Sequence, residues 1–437
     1  MVIERRADLR HELRMMKSMG WILGAGMLIS GELFAADWPS WRGEAMNGVA
    51  EGEAPPTSLE GDHQLWKVKL PGRGCSTPVV FGDRIFVTAP IAENNGVIAY
   101  SRRGEELWRA ELESGVPGRG RRVGSSANSS PVTDGKRVFA FFKSGQLVAF
   151  DLEGEKLWDF NVFEKYGEDK LWWDVGTSPV ITSRGLLLAI MQTEGNSNLL
   201  CFDKDTGEEI WKTPRSFDVA AESGDAYTTP LVVDLEGEET VVTWGADHLT
   251  GHRASDGELL WTCGGFNPKK NKNWRVIASP VIADGVAVVP YDRGNSLAGV
   301  KLGGRGDVTD ERTLWRVSKL GTDSATPVAK GGMVFVLTDS GRDRGVVTCL
   351  EAKSGELLWK SSLPRGAQTY YASPLLAGET LYCIREDGVV FASPVTKSGL
   401  GDPVITELGE SVIASPVVVD GMLLVRGADH LMAFKKP

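Results

Sequence analysis

Eight short loops in this 437-residue chain carry residue types suited to binding. Each loop ends in Ser/Thr-Pro, and five positions before the prolines stand Arg73, Ser126, Asp174, Asp225, Arg275, Thr322, Thr369 and Ser411. Asn128, Trp173, Tyr227, Trp274, Asp323, Tyr370 and Tyr371 lie close to the same offset. Arginines, carboxylates and aromatic rings converging on a concave point suit a ligand or peptide contact. The same arginines and acids can instead pair with one another and close that point, and the sequence leaves both uses open. The candidate partner-binding set is therefore Arg73, Asn128, Asp174, Asp225, Tyr227, Arg275, Asp323 and Tyr370.

Other chemistry finds little support. The five histidines include His248 and His430, which fall in two copies of Gly-Ala-Asp-His-Leu, and no cysteine or carboxylate pattern completes a metal site around them. Cys75, Cys201, Cys263, Cys349 and Cys383 are far apart and match neither a zinc spacing nor a disulfide framework. They are expected in apolar strand-like runs as small buried hydrophobes, with one long-range disulfide as the alternative. No Gly-x-Ser-x-Gly elbow or phosphate loop occurs. No catalytic or metal-ligating residue is predicted.

The elements that position these loops are repeats. The prolines are Pro78, Pro131, Pro179, Pro230, Pro280, Pro327, Pro374 and Pro416, always preceded by Ser or Thr and, one residue earlier, by Ser, Thr or Ala. A period of this length marks a solenoid, propeller or array. Residues 177–213 show the unit: four strand-like runs divided by Arg184-Gly185, Glu194-Gly195-Asn196-Ser197 and Asp205-Thr206-Gly207. The last turn and strand carry Gly-x-x-x-Trp, at Gly104/Trp108, Gly154/Trp158, Gly207/Trp211, Gly257/Trp261 and Gly355/Trp359, whereas Trp315 lacks the glycine. Glycine supplies the positive φ of a tight hairpin, and the indole is expected to wedge between blades.

Four antiparallel strands repeated radially make a propeller. The prediction is an all-β, eight-bladed β-propeller. Its last repeat stops one strand short, and Gln64-Leu65-Trp66-Lys67-Val68-Lys69 supplies the missing one, so the N-terminal strand pairs into the last blade and protects its edge. The small residue two before each proline answers crowding near the axis. The Ser/Thr hydroxyl is read as satisfying backbone groups there, with a ligand-facing ring of hydroxyls as the alternative. The predicted organisation is a signal peptide over 1–35, an N-terminal arm over 36–61 and the propeller over 62–437. The signal rests on Arg5, Arg6, Arg10, Arg14 and Lys17, an apolar stretch to Phe34, and Ala35-Ala36.

Composition is that of a globular protein, 42% hydrophobic and 24% charged. A net charge of −10 argues against nucleic acid, which calls for a basic footprint, and against docking on an anionic membrane. The basic runs at 118–122 and 268–272 are expected between blades on the loop face, mostly solvated.

The segments Cys201-Phe202-Asp203-Lys204-Asp205-Thr206-Gly207-Glu208-Glu209-Ile210-Trp211 and Cys349-Leu350-Glu351-Ala352-Lys353-Ser354-Gly355-Glu356-Leu357-Leu358-Trp359 resemble the quinoprotein (PQQ-like) propeller repeat with its tryptophan-docking motif. Asp37-Trp38-Pro39-Ser40-Trp41-Arg42-Gly43 resembles the leading segment of secreted proteins with that repeat. Two branches of the superfamily are implied. One is the eight-bladed scaffold propeller of the outer-membrane β-barrel assembly machinery, a lipoprotein whose lipidated cysteine this chain lacks. The other is the PQQ-dependent alcohol dehydrogenases, which stack PQQ between a Trp and a disulfide of adjacent cysteines, with Ca²⁺ and an Asp base; no adjacent cysteine pair exists here. The expectation is a periplasmic or secreted monomer, a non-catalytic scaffold without a cofactor, binding an envelope protein at the channel mouth. The alternative is a PQQ- and Ca²⁺-dependent alcohol or sugar dehydrogenase; a polysaccharide- or sulfate-rich-matrix-binding protein is a third reading. No nucleic-acid partner, and no transmembrane span after signal cleavage, is expected.

Overall fold

The computed structural model describes residues 37–113, 115–119 and 123–437; the signal expected over 1–35 lies outside them, as do Arg121 and Arg122 of the first basic run. Eight sheets succeed one another, each built on four antiparallel strands. Blades 1 to 7 span 79–112, 132–161, 180–214, 231–263, 281–318, 328–362 and 375–407. Blade 8 takes three strands from 417–434 and its outermost from Gln64–Lys69, which pairs antiparallel with His430–Phe434. The expected fold and its N-terminal closure are both present.

Strand patterning explains the stacking. Middle strands such as Leu186–Ile190 and Asn198–Phe202 are buried on both faces, as a sheet sandwiched between two others requires. The core therefore lies between blades: Phe86, Val97 and Ala99 of blade 1 pack with Val138, Val148 and Phe150 of blade 2. Outermost strands alternate, as in the exposed–half-buried pattern of Thr313–Ser318, and their tryptophans join neighbours. The indole N–H of Trp66 donates to the Arg102 carbonyl (2.9 Å), Trp108 to Leu152 (2.9 Å), Trp158 to Lys204 (3.1 Å), Trp211 to Ala254 (3.0 Å) and Trp315 to Ala352 (2.8 Å), each in the following blade. The paired glycine has two duties. Gly207 sits at φ 72°, and a Cβ there would lie 2.8 Å from the Trp158 ring. A side chain at this turn would be strained and would displace the indole.

The joint after blade 4 departs from this scheme. Trp261 lies against Gly251 of its own blade, as Trp315 does against Gly299, but its indole nitrogen has no partner. Trp261 is still buried among residues of blades 4 and 5; what is missing is the indole bond to the following blade, where blade 5 has no docking glycine. In its place the 302–312 insertion returns Gly306–Asp307 as a fifth strand, parallel to Trp261–Thr262. Cys75 also differs from expectation: it lies in a loop, not a strand. All five cysteines are free thiols.

Candidate functional site

The eight Ser/Thr-Pro loops converge on the propeller axis. Proline opens each innermost strand, where its missing N–H costs no ladder bond. The residue before it reaches to the next blade. The amide of Thr77 donates to Ser130 Oγ (2.9 Å), Ser130 to Ser178 (3.0 Å), Ser178 to Thr229 (3.0 Å) and Thr229 to Ser279 (3.0 Å). Ser279 donates to Thr326 (3.0 Å), Thr326 to Ser373 (3.0 Å), Ser373 to Ser415 (3.1 Å), and Ser415 back to Thr77 (3.2 Å). Eight bonds form a closed cycle, one per joint. The hydroxyls do satisfy backbone amides, as read from sequence, and all eight also line the axial cavity.

That cavity holds about 130 Å³. Side chains along an extended segment alternate sides, so the tier above the hydroxyls comes from the residues three before each proline: Cys75, Asn128, Gly176, Tyr227, Ile277, Ser324, Tyr371 and Ile413, all of which line it. The segment at 38–50 forms the floor. Trp38 exchanges backbone bonds with Val80, and the carbonyls of Pro39, Asn47 and Gly48 accept from Thr133, Ala329 and Leu376. These partners are all two residues beyond a repeat proline, so the segment crosses the far end of the channel. Trp41 reaches the cavity from there. Arg42 beside it is 2% exposed and donates to the carbonyls of Pro327, Pro374 and Asn47. Burial lowers its pKa to about 9.

The candidate set divides. Asn128 and Tyr227 line the cavity; Arg73, Asp174, Asp225, Arg275, Asp323 and Tyr370 do not. Asp174 pairs with Lys143 at 2.6 Å, both side chains almost fully buried, and accepts the Arg119 amide. Asp225 accepts the amides of Trp172 (3.0 Å) and Thr193 (2.7 Å). Arg275 reaches Asp323 at 3.4 Å and Glu222 at 3.6 Å, while burial pushes the Asp323 carboxyl upward in spite of Arg275. The Arg73 carbonyl accepts from Ser125. Tyr370 is buried in the core between blades 6 and 7, which raises its phenol pKa.

These ties fix a surface feature that sequence reasoning only half caught. Trp173 stood near the candidate offset, but its neighbour Trp172 was not singled out. Trp172 is 69% exposed and Trp173 44%. Their backbone is clamped: Asp225 takes the Trp172 amide, the Tyr227 hydroxyl takes the Trp173 amide (3.0 Å), and Arg119 holds the carbonyls of Leu171 and Trp172. An apolar doublet inside a charged loop, Glu168-Asp169-Lys170-Leu171-Trp172-Trp173-Asp174, was the available signal. Two indoles held in solvent by the buried Asp225 and Tyr227 and by the more exposed Arg119 form a clamped aromatic anchor, the side-chain class that dominates interface energetics.

A family model described as outer membrane protein assembly factor BamB matches residues 57–217, 189–305 and 304–396. The chain belongs to this family. Outer membrane protein assembly factor BamB of Burkholderia pseudomallei is 24% identical over 348 residues, covering 78% of this chain and 79% of that protein. Among solved structures, BamB from Moraxella catarrhalis superposes with a TM-score of 0.60 at 16% identity, covering 85% of this chain and 97% of that one. The quinohemoprotein alcohol dehydrogenase of Comamonas testosteroni gives 0.65 at 14% identity, covering 92% and 80%. Likeness at these identities is a likeness of fold.

Proposed function

We propose that this member of the family is a non-catalytic propeller scaffold of the cell envelope that binds a protein partner in outer-membrane protein assembly, through the channel-mouth face. The observation that carries the reading is the clamped, solvent-facing pair Trp172 and Trp173. Exposed aromatic groups of this size on a rigid frame are characteristic of contact surfaces. Family membership supplies the assembly context, and fold alone would not. The proposed location is the periplasm or the secreted fraction, and the proposed state a monomer.

A quinone–Ca²⁺ centre does not fit the residues at this mouth. The cavity lining carries no carboxylate. Asp174 and Asp225 are committed to Lys143 and to backbone amides. Among the described residues, no group of His, Cys, Asp or Glu is arranged to hold a metal ion. The reading therefore uses no cofactor.

The test is crosslinking and pull-down from the native envelope fraction with wild type and Trp172→Ala/Trp173→Ala. Loss of the wild-type partner from a variant of unchanged thermal stability supports the reading. Undiminished capture of that partner refutes the assignment to this face.

A further inference from the structure

We propose that the axial cavity is a binding site for a small oxyanion of sulfate or phosphate type, held by the ring of eight hydroxyls. The inference is independent of the partner-binding reading.

Thr77, Ser130, Ser178, Thr229, Ser279, Thr326, Ser373 and Ser415 are all more than nine-tenths buried, and all line one cavity. Each hydroxyl oxygen accepts an amide N–H from the preceding blade, and none donates to another group among the described residues. A hydroxyl carries one proton as well as two lone pairs. The ring thus presents eight unspent O–H donors around an axis. A buried polar group left unmatched is costly, so the cavity calls for acceptors.

Water supplies them imperfectly. The cavity of about 130 Å³ has room for several waters, each needing about 10–15 Å³. Every water that accepts from the ring brings two protons of its own. An oxyanion brings acceptors alone, and donors aimed at an ionised acceptor make the stronger class of hydrogen bond.

Charge favours the same occupant. Arg42 bonds the carbonyls of Pro327 and Pro374, next in sequence to the ring residues Thr326 and Ser373. Arg426, fully buried, bonds the carbonyl and hydroxyl of Ser76, next to Thr77. Neither guanidinium has a carboxylate partner among the described residues. Burial lowers their pKa values to about 9 and about 10, so both stay protonated at neutral pH. Two cations without a carboxylate partner are thus bonded to the loops that carry the ring, and the cavity lining itself holds no acid. Access is from the mouth, where Cys75, Asn128, Gly176, Ile277, Ser324, Tyr371 and Ile413 stay partly exposed.

Crystals of the protein soaked in selenate, an anomalously scattering sulfate analogue, test this directly. The expected result is a selenium peak in the axial cavity within hydrogen-bonding distance of the ring hydroxyls. In solution, equilibrium dialysis with labelled sulfate should find one site per chain that phosphate competes for and chloride at equal ionic strength does not. Thr229→Val should weaken binding about tenfold, as loss of one hydrogen bond to a charged group does. Ser324→Phe, which fills the upper tier and leaves the ring intact, should abolish binding. An empty cavity in soaked crystals, selenate on surface lysines alone (an adventitious ion only), equal competition by chloride, or full binding by folded Ser324→Phe would each overturn the assignment. The selenate map of the wild-type protein decides the matter even if a variant fails to fold.

Discussion

The hydroxyl ring and the mouth above it are built from the same eight loops, only four residues apart, and they follow different rules. In the ring every blade does the same thing: a Ser or Thr before proline accepts its neighbour's amide, at 2.9–3.2 Å around the whole circle. At the mouth the residue type and its partners vary around the circle. Asp174 neutralises Lys143, Asp225 takes two amides, Arg275 reaches two acids, and Ser411 and Thr369 occupy the equivalent places elsewhere. A position that must close a circle is held uniform by geometry. A position free of that duty is where blades can diverge, and sites are grafted on such places.

The largest expected effect erases the contrast altogether. Deleting residues 62–70 removes the outermost strand of blade 8, exposes an edge and should yield unfolded or polymeric protein by light scattering and circular dichroism. A monomer of unchanged stability would show that the ring closes without the strand. Next comes Asp174→Ala. It leaves the Lys143 ammonium buried and unpaired, and should cost about 3–5 kcal/mol in denaturant unfolding. Adding Lys143→Met should recover most of that loss. A mild single-mutant effect would make this mouth residue dispensable to the fold. Thr326→Val removes one link of the ring, stranding the Ser279 amide, at about 1–3 kcal/mol. An equal cost at each of the eight positions would sharpen the claim of uniformity, and a neutral position would break it.

The smallest effect is on acid stability at the closure. Glu410, in the mouth loop before blade 8, accepts from Lys67 of the N-terminal strand and from His430. Burial alone would raise its pKa, but bonds from the Asp429 amide, Lys67 and His430 hold it below the usual carboxylate value. The folded state therefore favours the ionised form. That stability is complete above the ordinary carboxylate pKa of about 4.3 and fades as pH falls through the lower folded value. Glu410→Gln should lose the corresponding part of the acid transition in a pH series of unfolding free energies. An unchanged acid transition would mean that the group's pKa is not shifted by folding.

How much was legible follows the same division. The proline period and the orphan Gln64–Lys69 strand announced eight blades and their closure, because each repeat must solve the same packing problem. The docking glycines were visible for the same reason, and blade 5, where the sequence lacks one, is the blade that follows the unpartnered indole of Trp261. The mouth was harder. The offset five before proline collected charged residues, yet those side chains turn to neighbouring blades and linkers. The alternation of an extended segment already implied that residues one and three before proline would share a face. Asn128 and Tyr227 belong to that face, but Gly176, Ile277 and Ile413 carry no chemical signature to mark it. Trp41 and Arg42 were invisible as channel residues, because only tertiary pairing of 38–50 with innermost strands of blades 1, 2, 6 and 7 brings them to the axis.

Native-state hydrogen exchange at the eight ring amides, Thr77, Ser130, Ser178, Thr229, Ser279, Thr326, Ser373 and Ser415, tests most directly whether the circle closes as one unit. The account predicts that all eight exchange together, at the free energy of global unfolding. Early exchange at one joint while the other seven stay protected would contradict it.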